Sequence, residues 1–183
     1  MQINKIGLIG LAVLFLLGTA VAHEKKWPEK RLKQAWTEAQ SFTSKQVSLG
    51  SGQISELKNN GIQIGAEDRS PTFYFAQDKN AQSGEKAKTL GIILFIDEAG
   101  ANGVMEISIA MGTDGRIKKI DIWEHSENSL IAKEDFLKQF VGKSSKDSFD
   151  DYRAVPGAEK ASEAVAKSAK KALKISNIVY EKK

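Results

Sequence analysis

The rhythm of hydrophobic and polar positions changes several times along the chain. Residues 6–17 (IGLIGLAVLFLL) are apolar without a break, and charged residues punctuate everything after them. From Glu24 to Gln40, Leu32 and Trp36 stand one turn apart with Ala35 and Ala39 beside them. That spacing predicts a helix over 24–40, with Pro28 in its first turn. Ser51 to Asn60 predicts a second, short helix. Ser51 is its candidate N-cap, Ile54 and Leu57 form its stripe, and Gly61 is its stop.

The period then falls to two. Thr72 to Ala76 (TFYFA) reads as a strand, and polar Asn80 to Lys88 as a loop. Leu90 to Ile96 (LGIILFI) is apolar on both faces, as in a central strand. Asp97 to Gly103 predicts a turn. Val104 to Met111 alternates, with Met105, Ile107, Ile109 and Met111 on one face. Gly112-Thr113-Asp114-Gly115 predicts a hairpin, and Arg116 to Glu124 the returning strand, with Ile120 and Ile122 inward. Helical spacing resumes at Lys133 to Val141, where Phe136, Leu137, Phe140 and Val141 are expected to pack inward and Gly142 to end the helix. Ser144 to Tyr152 is polar and predicts a loop. Gly157 to Ile175 predicts a long Ala/Lys-rich helix burying Ala164, Val165, Ala169, Ala172 and Leu173. Helices, then a meander, then helices make an α+β plan: an antiparallel sheet packed with N-terminal and C-terminal helices. No internal repeat and no second domain stand out.

Composition narrows the chemistry. The 183 residues carry 27 Lys+Arg against 23 Asp+Glu, a formal net charge of +4 that is spread out and gives no support for a nucleic-acid partner. There is no cysteine, so disulfides, thiolate-held clusters and zinc-thiolate sites are excluded. The two histidines, His23 and His125, leave no multi-histidine metal site without carboxylates, and no metal ligand is assigned. No Gly-rich dinucleotide loop, nucleophile elbow or paired-carboxylate signature marks a stand-alone enzyme.

The amino terminus has the form of an export signal. Lys5 gives a short positive region, the apolar run follows, and Ala20-Val21-Ala22 has the small-x-small pattern of a cleavage site. Residues 1–22 are read as a signal peptide cut after Ala22, and 23–183 as one domain in the periplasm or elsewhere outside the cytoplasmic membrane. An uncleaved signal would leave that domain membrane-associated.

Several stretches of the second half, in this order, resemble the FMN-binding domain family. This family includes flavin-carrying subunits of the Rnf complex and of sodium-pumping NADH:quinone oxidoreductase, and the outer domain of nitrous-oxide-reductase regulatory membrane proteins. The stretches are Phe95 to Gly100 (FIDEAG), the strand pair Ile107 to Ile122, His125-Ser126-Glu127, Phe136 to Lys143 (FLKQFVGK) and Asp150 to Leu173 (DDYRAVPGAEKASEAVAKSAKKAL). The resemblance implies electron carriage through FMN, with a redox partner protein or a membrane electron-transport complex. It implies Thr113, His125, Glu127, Gly157, Ala158, Glu159 and Ser162 as residues around the flavin. Many members attach FMN by a phosphoester to the Thr of an SGAT motif. That Thr corresponds to Glu159 and the motif's Ser to Pro156, and a carboxylate cannot replace a hydroxyl in that linkage. Two readings stay open at this point. FMN is held noncovalently, its phosphate on the N–H groups at the start of the last helix and its ring on apolar side chains of the hairpin. Alternatively Glu159 fills the anion site itself, leaving a flavin-free scaffold that acts as a binding or assembly module.

Overall fold

A computed structural model describes residues 28–79 and 86–180. The expected export signal, the start of the helix expected from Glu24 and most of the loop expected over 80–88 lie outside the described residues.

Helix α1 (Glu29–Ala35) follows Pro28, whose carbonyl accepts the Leu32 N–H at 2.9 Å. It stops five residues before the expected Gln40. The chain turns extended at Trp36 and then forms strand β1 (Ser41–Gln46), which the hydrophobic pattern did not announce. Helix α2 (Ser51–Asn59) has its N-cap one residue earlier than expected, at Gly50 rather than Ser51. The Gly50 N–H donates to Gln53 Oε1 at 2.9 Å, so the cap comes from the third helical residue.

Strands β2 (Thr72–Gln77), β3 (Thr89–Ala99), β4 (Val104–Gly112) and β5 (Ile117–Glu124) complete a sheet whose order is the chain order, all neighbours antiparallel. Strand β3 lies at its centre, as its apolar run requires. Its last three residues continue the strand where a turn was expected from Asp97. Shifts in register within the β4–β5 pair bring Ile117 and Ile120 to the same buried face as Met105, Ile107, Ile109 and Met111.

The two faces of the sheet are covered unequally. One carries the main core, built with α2, the segment after β5 and the long helix α4 (Glu159–Tyr180). Buried Ala161, Ala164, Ala166, Ala169 and Ala172 let α4 seat closely, and all five positions expected to face inward do so. Among the described residues the other face carries only α1, with Leu32 and Ala35 on Tyr74, Ile93 and Ala110, and Trp36 against Gly91. Arg31 fastens this helix by ion pairs to Glu106 and Glu124, and its guanidinium lies 5.6 Å from the centre of the Trp123 ring.

Between β5 and α4, a 3-10 turn Ser129–Ala132 comes first, and the helix expected over 133–141 follows as helix α3 (Glu134–Leu137) continued by a 3-10 turn Lys138–Phe140. Phe136, Leu137 and Phe140 are buried as expected, but Val141 is 47% exposed. The 3-10 turn ends at Phe140, so Val141 is extended and leaves the inward face.

Candidate functional site

The start of α4 is positioned by contacts made much earlier in the chain. Phe140 is fully buried and stacks on Phe149 with ring centres 6.2 Å apart. That anchors the irregular stretch that follows. Lys143 Nζ donates to Ser148 O at 2.6 Å and pairs with Asp151 at 2.7 Å. Gln139 Oε1 accepts the Arg153 N–H at 2.7 Å, and Gln139 Nε2 donates back to Arg153 O at 3.2 Å. The FLKQFVGK stretch is thus the brace of the loop that delivers residues 155–159. Sequence reasoning had no signal for the Gln139 and Lys143 roles, which join side chains to backbone groups across the loop.

The last connection is made by Ser162. Its side chain is fully buried, and its hydroxyl accepts the Val155 N–H at 3.0 Å. The Ala158 N–H reaches Val155 O at 2.9 Å, closing a tight turn. Gly157 sits in that turn at φ +75°, a conformation that favours glycine. Its N–H donates to Glu159 Oε1 at 2.9 Å. That donor and the Glu159 N–H hold the exposed Glu159 carboxyl below its usual range. The turn is therefore an anion-accepting geometry at the start of a 22-residue helix, and a carboxylate of this chain already sits on it.

Residues 100–174 match the FMN-binding domain family. The match begins at the β3–β4 turn and runs through β4, β5, the brace and most of α4. It supports flavin binding, with FMN as the cofactor. No curated protein matches the chain. The matched segment shares its sheet with residues before it, since β3 pairs with β4 from Gly91 to Ala99.

Against an FMN-binding domain, the expected site residues fall into three places. Gly157, Ala158, Glu159 and Ser162 form the turn just described, with Ala158 buried. His125 and Glu127 follow β5, where His125 Nδ1 accepts the Glu127 N–H at 3.2 Å. The Glu127 carboxylate accepts the Asn102 N–H at 2.5 Å and the Asn102 side-chain amide at 3.1 Å. It packs so closely on Gly100 that an added Cβ would lie 2.3 Å from its Oε1. Glu127 thus ties down the β3–β4 turn.

Thr113 is elsewhere. It lines a groove of about 350 Å3 near the far end of α4, with Leu173, Ser176 and Tyr180. Glu159 and Leu173 are about 21 Å apart along α4, at about 1.5 Å per residue. Thr113 therefore lies toward the opposite end of α4 from Glu159. A second groove, of about 340 Å3, runs along the first half of α4. Phe149, Tyr152, Glu163, Lys167, Lys170 and Lys171 line it, and Glu163 is one turn along the helix from Glu159. Lys167 pairs with Glu163, and Lys171 with Asp68 and Glu98. Lys170 has no carboxylate partner among the described residues.

The fit to FMN is divided. The 156–159 turn (Pro156, Gly157, Ala158, Glu159) offers no hydroxyl, and the nearby Ser162 hydroxyl is buried and engaged, so a phosphoester tether does not fit. The groove beside it has the size, the aromatic lining and a free cation to suit an untethered ligand.

Proposed function

We propose that this protein is an exported electron carrier that holds FMN without a covalent link. The observation that carries the reading is the FMN-binding domain match, which falls on the braced loop and α4 together. Bound FMN supplies reversible electron transfer. Tyr152 offers aromatic surface in the groove along α4, and Lys170 offers positive charge there. Gln139, Lys143 and Ser162 hold the wall of that groove in place. The amino-terminal segment would direct export, with the domain in the periplasm or on the outer side of the membrane. Electrons would pass to a redox partner protein or a membrane electron-transport complex.

The Gly157–Glu159 hydrogen bond favours a second reading, a flavin-free scaffold that serves as a binding or assembly module. One experiment separates the two. Protein purified from its native compartment is denatured and the supernatant is analysed for flavin by mass, while the stripped protein is titrated with FMN. Released FMN, or saturable quenching of FMN fluorescence, is expected. Neither flavin in the native protein nor binding on titration would leave the scaffold reading alone.

A further inference from the structure

We infer that Glu159 acts as a built-in anion that keeps a ligand's phosphate off the start of α4, so that the protein binds flavin without recognising its phosphate there. The inference deepens the proposed function and rests on it for the flavin arm of the test only. Three observations converge. The Gly157 N–H, which an incoming phosphate would need, is donated to Glu159 Oε1 at 2.9 Å. The one side-chain hydroxyl in the first turn of α4, that of Ser162, is fully buried and committed to the Val155 N–H. A phosphate dianion approaching the turn would meet a carboxylate at short range, and like charges repel. Where related domains would place the tethered phosphate, this chain supplies its own negative group.

The consequence is a specificity. A domain that held FMN by its phosphate would reject riboflavin, which has the same ring and lacks the phosphate. This chain should bind the two alike. Removing the Glu159 charge should open the turn and favour FMN by roughly tenfold, the scale of a hydrogen bond to a charged group.

The test compares FMN and riboflavin by fluorescence quenching on the full chain and on Glu159→Gln, with Glu159→Ala as a second variant. Because Glu159 is exposed, both variants should fold. Equal affinities in the wild type and a preference for FMN in the variants are expected. A preference for FMN no greater in Glu159→Gln and Glu159→Ala than in the wild type would overturn the inference. If no variant binds any flavin, the proposed function fails, and a second readout still decides this inference. Inorganic phosphate should shift the Gly157 amide resonance in Glu159→Ala and leave it unmoved in the wild type. An equal response in both proteins would overturn it.

Discussion

Helix α4 meets carboxylates at two points, and the two meetings differ in kind. In its middle, Lys171 is buried and held by Asp68 at 3.2 Å and Glu98 at 3.0 Å. Burial alone would lower the Lys171 pKa, but the hydrogen bonds and charges of Glu98 and Asp68 outweigh it and raise the value. Those three groups join α4 to the end of β3 and to the loop before β2. At its start, Glu159 lies in the open and makes its contact with backbone N–H groups within its own turn. The first arrangement cannot be altered without leaving charge stranded in the interior. The second can be exchanged for another anion at little structural cost. Binding function is expected where negative charge is replaceable, and stability where it is not.

The sharpest way to break this contrast is at Lys171. Lys171→Met should lower unfolding free energy by about 3 kcal/mol, because Asp68 and Glu98 lose their shared cation. Chemical denaturation should then show recovery when Asp68→Asn and Glu98→Gln are added. Next comes Ser162→Ala, which leaves the Val155 N–H without its acceptor and should cost about 2 kcal/mol. Unlike Lys171→Met, it should also speed hydrogen exchange at Val155 and Gly157. Smaller still is the difference in pH response. A cation whose folded pKa is raised contributes stability that is complete below its ordinary value and is lost as pH rises through the folded value. Lys171 should therefore weaken the fold on the alkaline side, and Lys171→Met should flatten that limb. Glu159, whose carboxyl is lowered, contributes above its ordinary value and loses that contribution as pH falls through the folded value. Glu159→Gln should leave the alkaline limb untouched and flatten the acid limb slightly.

Legibility in the sequence followed burial. Strands β4 and β5 and helix α4 could be read because one face of each is buried in an unbroken core, which imposes the period of two or of 3.6. Strand β1 could not. It is an edge strand whose last four residues are exposed, so nothing obliges its side chains to alternate. The helix expected over 133–141 forms only in part: its apolar residues suit a helix, but after Leu137 the backbone tightens into 3-10 geometry, and it ends before Gly142, which lies at φ +83°. The turn at the start of α4 was legible as a departure from a motif, in Pro156 and Glu159, and the structure adds where the carboxylate goes. Lys171 was hidden among the lysines of an Ala/Lys-rich helix. Its burial is decided by Asp68 and Glu98, more than seventy residues away in the chain. Gln139 and Lys143 were hidden because their partners are largely backbone groups, which no residue type advertises.

Restoring an alcohol in place of Glu159 is the most direct trial of the claim that this carboxylate closes the turn to a flavin phosphate. Pro156→Ser combined with Glu159→Thr should, on exposure to a flavin transferase, yield FMN joined by a phosphoester to residue 159, visible as a mass increase on the peptide that contains it. The wild-type chain treated in the same way should show no adduct. A double variant that folds with its sheet and α4 intact and still gains neither bound nor attached FMN would contradict the claim.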